Sequence, residues 1–323
     1  MKIFWSAFGF MILLAACQWP MTAQLNNAAD RNSSSYNQQD YVSANIGTLK
    51  YVHSGTFQRD ATSSDLSVVS AFRISQYDIT RVQFTAVTGL ADPSATANST
   101  GQSDPVQMAN WYHALVFSNK LSMAEGVTPV YTIGGSTDPS VWIAANGGAV
   151  PTLTNATWDA VTANWNANGY RLPTEMEWMW AAMGATSDSL ASDLVGGINT
   201  GGYAKGYAGS TEAGGSQVSI NNYAWTLNIA PTPTTTSPVG TKLANELGLF
   251  DMSGNVWQWC WDWYASSYPT ATQTNYQGAT SGTYRVIHCG SWASSASSAT
   301  VATRSIGSPY SQVNSFGFRV LRP

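Results

Sequence analysis

The sequence predicts an α+β domain that is rich in loops and holds little regular secondary structure. Three observations predict it. Short strand-like and helix-like patterns follow one another without an internal repeat. Long uncharged connections such as "IAPTPTTTSPVG" separate them. Tryptophan reaches 14 residues and glycine 28, which suits a fold braced by aromatics better than a helical bundle.

Taken in order, the chain starts like an exported protein. Lys2 precedes an apolar run, Ile3 to Leu14, that is too short to span a bilayer. Small residues follow, as in a secretory signal. The ending Leu14-Ala15-Ala16-Cys17 resembles a bacterial lipobox, so residues 1–17 are expected to be a lipoprotein signal with Cys17 the lipidated residue. That places the protein outside the cell, lipid-anchored to the bacterial outer membrane or cell surface, with the membrane as a partner through acyl chains. Residues 18–46 are polar and show no period, and are expected to form a tether. The folded domain is expected to cover 47–323.

Within it, "TLKYVHSGTF" reads as a short hairpin and "FRISQYDITRVQFTAV" as a strand entering a helix capped by Thr80. "WYHALVFSNKLS" puts Trp111, Ala114, Leu115, Ser118 and Leu121 on one helix face. "ATWDAVTANWNANGYRL" alternates, which predicts a strand and turn. In "YRLPTEMEWMWAA", Thr174 and Glu177 have the spacing of a capping box, and Glu175 suits the positive end of a helix dipole. Asp251 to Asn255 reads as a tight turn with Gly254 at positive φ. Trp257, Trp259, Trp261 and Trp263 then alternate on one face of a strand. Such a ladder could stack sugars, but four exposed indoles would form a large sticky patch, so core packing is the expected use.

Chemistry-bearing patterns are scarce. Charged residues are 10% of the chain, net charge is −4 and no basic cluster exists, which argues against nucleic acid. His53, His113 and His288 are scattered, without zinc-ligand spacing. No phosphate-binding glycine loop and no GxSxG elbow occurs. No catalytic residue and no metal ligand is therefore named. Cys260 and Cys289 leave a disulfide and two free thiols as alternatives.

The segment "HCGSWASSASSATVATRSIGSPYSQVNSFGFRVLRP", 288 to 323, sets a bland Ser, Ala and Thr run before an apolar last strand. Together with "YDITRVQF", "PVQMANWYHALVFSNKLS", "GYRLPTEMEWMWAA" and "GLFDMSGNVWQW", it resembles the formylglycine-generating-enzyme family, the sulfatase-modifying-factor domain. The resemblance runs in family order from about residue 50 to 323 and implies a variant of the C-type lectin fold. Formylglycine generators hold copper with two cysteines that here align with Ser294 and Ala299. A hydroxyl and a methyl cannot replace thiolates on Cu(I), so oxidase activity is not expected. Some relatives bind structural calcium through a Glu that is Gln258 here, which puts calcium through Asn255 in doubt. No cofactor is otherwise expected.

A different branch fits better, the variable proteins of diversity-generating retroelements, the treponemal ones above all. In these a C-terminal surface, diversified by adenine mutagenesis, binds ligand. The resemblance implies a variable region of about 287–315. Its scaffold would be Trp292, Ala296, Val301, Arg304, Pro309 and Gly317-Phe318-Arg319. Its ligand-binding positions would be Ile287, Ala293, Ser294, Ser295, Ser297, Ser298, Thr303, Ile306, Gly307, Ser308 and Tyr310. The partner would be a protein or glycan, on host or neighbouring cells. An enzyme of the same family with another centre, or a structural envelope protein, are the alternatives.

Overall fold

In the computed structural model, residues 38–323 apart from residue 230 are described. The expected signal at 1–17 with Cys17, and residues 18–37 of the expected tether, lie outside the described residues. Order begins before Gly47, so the expected tether boundary is corrected. Strand β1 (Tyr41–Ser43) pairs antiparallel with β2 (Gly47–Val52), with Val42 opposite Thr48. Polar bonding rather than an apolar pattern fixes β1. The Ser43 hydroxyl accepts from the Asn45 and Ile46 amides, and Tyr41, Ser43 and Asn45 all donate to the Glu125 carboxylate.

The remaining elements follow in order. They are β3 (Gly55–Gln58), β4 (Leu66–Val69), β5 (Phe72–Ser75), α1 (Arg81–Thr88), α2 (Trp111–Ala124), β6 (Tyr131–Thr132), α3 (Pro139–Ala145), α4 (Ala156–Asp159), β7 (Thr162–Ala163) and α5 (Glu175–Ala182). After these come β8 (Leu194–Val195), β9 (Ile198–Asn199), β10 (Trp257–Trp263), β11 (Gln273–Thr274), β12 (Arg285–His288), β13 (Ser305–Gly307), β14 (Phe316–Gly317) and β15 (Leu321–Arg322). Long loops and short 3₁₀ turns join them, an α+β, loop-rich arrangement.

Among the described residues the larger sheets are ordered β1-β2-β5-β15, β11-β4-β3-β9-β8 and β13-β12-β10-β14, and β6 and β7 form a fourth, two-stranded one. The expected hairpin at 48–57 does not form, because β2 pairs with β5 while β3 pairs with β4 and β9. The chain is diverted at His53, whose carbonyl accepts from the Trp180 indole at 2.8 Å. Gly55 must be glycine there, since a Cβ would lie 2.3 Å from that ring. "ATWD" is also not a strand. Asn155 caps it by accepting from the Thr157 and Trp158 amides, which starts helix α4 and buries Trp158. The expected Thr174/Glu177 capping box forms, and the expected Thr80 cap is also part of one, with Gln83 as its partner. Helix α2 is buried on more than the one expected face, with every residue from Trp111 to Asn119 inaccessible or nearly so.

The sheet of β10, β12, β13 and β14 separates two apolar cores. Side-chain alternation sends Trp259 and Ile287 into the core around α2, and Cys260 and Val286 into the core around α5. The tryptophan ladder is packing. Trp259 is fully buried against Phe316, and Trp261 stacks on Tyr131 with centroids 5.2 Å apart. A register shift between Trp259 and Trp263 re-aims the end of the strand. There the Arg285 guanidinium lies 3.7 Å from the Trp111 centroid and 3.3 Å from that of Trp263, and burial pushes its pKa down to about 9.

Candidate functional site

The C-terminal segment leaves β12 through Cys289 and Gly290, both at positive φ. At Gly290 a Cβ would meet the Ser298 carbonyl at 2.9 Å, so this corner needs glycine. Beyond it the backbone is tied to the rest of the domain at short intervals. Trp292 N–H donates to the Asn255 carbonyl, and the Ser294 carbonyl accepts from Leu227 N–H, each at 2.9 Å. Val301 N–H donates to the Lys205 carbonyl, and the Pro309 carbonyl accepts from Trp111 N–H. None of these bonds uses a side chain of the segment.

The expected ligand positions fall into three groups. Ala293, Ser295, Ser297 and Ile306 are exposed, Ile306 at 40%. Ser294, Ser298, Thr303, Ser308 and Tyr310 are half-buried. Ile287 and Gly307 are buried and do not face solvent, contrary to expectation. Ile287, in an inner strand of its sheet, is opposite Trp259 and belongs to the α2 core. Gly307 lies against the Trp259 ring, where a Cβ would come within 2.3 Å. Among the half-buried hydroxyls, Ser294 Oγ accepts from the Trp257 indole at 3.1 Å and bonds Ser291 Oγ at 2.8 Å. Trp257 thus joins this surface, although sequence reasoning gave it only to the core. A cleft of about 180 Å³ lined by Ile133, Trp142, Asn155 and Trp158 includes none of these residues.

The expected scaffold residues are placed as supports. Trp292 is 9% exposed and donates its indole N–H to the Asn314 carbonyl. Arg304 turns inward, donating to Glu175 Oε2 at 2.7 Å while its guanidinium lies over the rings of Tyr264 and Tyr268. Glu175 is therefore more than a partner of the helix dipole. Its other oxygen receives His288 Nε2 at 2.8 Å and the Tyr268 hydroxyl at 3.2 Å. Burial opposes the charge, but the His288 and Arg304 bonds win and hold the Glu175 carboxyl below its usual range. Neighbouring Asp262 is the opposite case: burial, then the Glu175 charge, raises it well above the usual carboxylate value. The sequence separation of Glu175, Asp262, His288 and Arg304 hid this cluster, as no local pattern joins them.

The residues of the family's metal chemistry are engaged otherwise. Asn255 exchanges two amide bonds with Ser237, accepting its N–H and donating to its carbonyl. Gln258 Oε1 accepts from Trp178 and Arg319, while its Nε2 donates to the Asp251 carbonyl. An amide with its oxygen twice occupied and its nitrogen turned to a carbonyl does not fit calcium. At the positions of the copper cysteines, Ser294 carries a hydrogen-bonded hydroxyl and Ala299 is a buried methyl, which do not fit copper. Cys260 and Cys289 are buried free thiols, not a disulfide, and burial pushes both well above the usual thiol range.

Residues 26–323 match the family described as "Sulfatase-modifying factor enzyme 1-like domain". The chain belongs to this family. Among solved structures, the Treponema denticola variable protein 1 is similar, with TM-score 0.71 and 30% identity over 88% of this chain and 99% of that one. The "Chaperone protein LppX" of Paenibacillus barcinonensis is 34% identical over 79% of this chain and 81% of its own length. The formylglycine-generating enzyme of Streptomyces coelicolor is 31% identical over 52% of this chain and 51% of that enzyme, so the match spans about half of it.

Proposed function

We propose that this family member is a non-catalytic binding protein, exported and held at the bacterial outer membrane or cell surface by lipid on Cys17. It would take a protein or glycan ligand, on host or neighbouring cells, through the C-terminal segment. The observation that carries this reading is the way the segment is fastened. Its backbone is bonded to Asn255, Leu227, Lys205 and Trp111, so the exposed side chains Ala293, Ser295, Ser297 and Ile306 can change without loosening it. The likeness to a variable protein supports it. Retroelement mutagenesis would be the source of change, and a neighbouring reverse-transcriptase gene with an adenine-rich copy of the 3′ end would establish it.

Family relatives include enzymes, but the chemistry at Ser294 and Ala299 favours binding over copper oxidation. Oxygen uptake by copper-treated protein with a thiol peptide separates the two, and turnover would sink the binding reading. The direct test compares this chain with a Tyr310→Ala, Ile306→Ala variant in pull-downs from candidate host and neighbouring cells. Equal recovery of the same partners would place binding elsewhere. Detergent-phase partitioning of Cys17→Ala tests the anchor, and unchanged partitioning would remove it.

A further inference from the structure

The loop at 205–228 is long, has little regular structure beyond two short 3₁₀ turns, and was given no role by sequence. It nevertheless grips the C-terminal segment at several independent points. Asn228 Oδ1 accepts the Ala296 N–H at 2.6 Å. Gln217 Nε2 donates to the Ala296 carbonyl at 2.6 Å and to the Gly206 carbonyl at 2.8 Å. The two peptide groups that flank the Ala296 Cα are thus each held by a side chain from outside the segment. Both amide orientations are forced, since Gln217 faces two carbonyls and Asn228 faces an N–H.

Apolar contacts repeat the arrangement. A small cluster separate from the two main cores joins Tyr207, Ile220 and Ala224 of the loop to Ala299, with Tyr223 and Ala296 packed on it. Ser253 links the same partners, accepting from Ala208 N–H and donating to the Ala299 carbonyl. The loop is itself shaped by Glu212, which receives Tyr207, Ser216 and the amides of Val218 and Ser219.

We infer that the 205–228 loop is the fixed support of the proposed ligand-binding surface, with Gln217 and Asn228 as positioning residues that hold the Ala296 backbone whatever Ser295 and Ser297 become. This rests on the binding role proposed above, but its test does not need the ligand. Bonding through the backbone of residue 296 is blind to the side chains on either side, so it preserves the surface through change at 295 and 297. Gln217 acts only as a donor here and Asn228 only as an acceptor toward Ala296, so near-isosteric exchanges should have opposite outcomes.

The experiment is amide hydrogen exchange on the full chain and on Asn228→Asp, Asn228→Leu and Gln217→Glu variants, read across residues 290–303 and, as a control, across α2. Asn228→Asp keeps an acceptor and should leave the Ala296 amide protected. Asn228→Leu should speed its exchange about tenfold, and Gln217→Glu, which turns an acceptor on the Ala296 carbonyl, should loosen the same segment, with α2 unchanged in all three. A second readout repeats Ser295→Tyr, Ser297→Tyr in the parent and in the Asn228→Leu background. The pair should leave segment protection unchanged in the parent and lower it further in the variant. Unchanged exchange in Asn228→Leu and Gln217→Glu, or equal loosening by Asp and Leu, overturns the inference and leaves the binding reading standing. Loss of protection in α2 as well would make the loop part of the general core, which also overturns it. Ligand recovery unaffected by Tyr310 and Ile306 would instead defeat the binding reading alone.

Discussion

Gly307→Ala decides whether position 307 belongs to the changeable surface or to its support. The added methyl would sit 2.3 Å from Trp259 Cη2, 2.7 Å from Cζ3 and 3.0 Å from the Phe316 ring. Carbon atoms prefer roughly 3.5–4.0 Å, so the indole or the strand must withdraw by about 1 Å. Trp259 has little freedom to do so. It is fully buried, packs edge-on against Phe316 at 5.3 Å, and donates its N–H to the Ala109 carbonyl at 2.9 Å. Overpacking of this kind costs about 1–3 kcal/mol, and stretching the indole bond adds about 1 kcal/mol. For a domain of this size each kcal/mol shifts Tm by roughly 2–4 °C, so thermal melting should fall by at least ~4 °C. Ile306→Ala, one residue away but exposed, should change stability by about 0.5 kcal/mol or less. Trp259→Phe removes the clashing atoms, so Gly307→Ala should be cheaper in that background. A Tm within about 1 °C of the parent, or no rescue by Trp259→Phe, would refute the packing argument.

Three further outcomes follow from the same contacts. Ser295→Tyr, Ser297→Tyr and Ser298→Tyr together should leave Tm nearly unchanged, whereas Trp292→Ala should cost roughly 3–5 kcal/mol, and similar losses would make the serine run core. Asp262 has a raised folded pKa, an unpartnered buried Oδ1, and Oδ2 accepting from Glu175 N–H, so its contribution to stability declines as pH rises from the ordinary value of 3.8 toward the folded one. Asp262→Asn should remove that decline in melts across rising pH, while the loss below the ordinary 4.5 of Glu175, whose folded pKa is lowered, should persist; parallel profiles for the two proteins would contradict this. Cys260 and Cys289 should resist a disulfide reagent in the native protein and react fully in denaturant, and rapid native labelling would disprove their burial.

Local chemistry was legible in the sequence where neighbouring residues settle the outcome. Thr80 and Thr174 cap their helices through side chains three residues away, and Gly254 takes the positive φ its turn needs. Motif order along "GYRLPTEMEWMWAA" and "GLFDMSGNVWQW" was enough to indicate the family, because those residues build the Thr174 helix cap, the turn and the start of the central strand. The exposed positions of the C-terminal segment were partly legible too, since Ala293, Ser295 and Ser297 follow Trp292 and alternate with half-buried Ser294, Ala296 and Ser298.

Only the tertiary structure decided the rest, because the deciding partner lay far along the chain. Tyr41–Ser43 looked like tether until Glu125 supplied its bonds, and 48–57 looked like a hairpin until Trp180 took the corner. Ile287 and Gly307 matched the variable pattern as well as Ser295 did, yet strand pairing turned them onto Trp259. Glu175 was read from its own helix, while its charge is held by His288 and Arg304, more than a hundred residues away. Gln217 and Asn228 carried no motif, because holding the backbone of one distant residue asks only for a donor and an acceptor at the right place. A sequence records which groups a chain has, and pairing across the fold determines which of them meet.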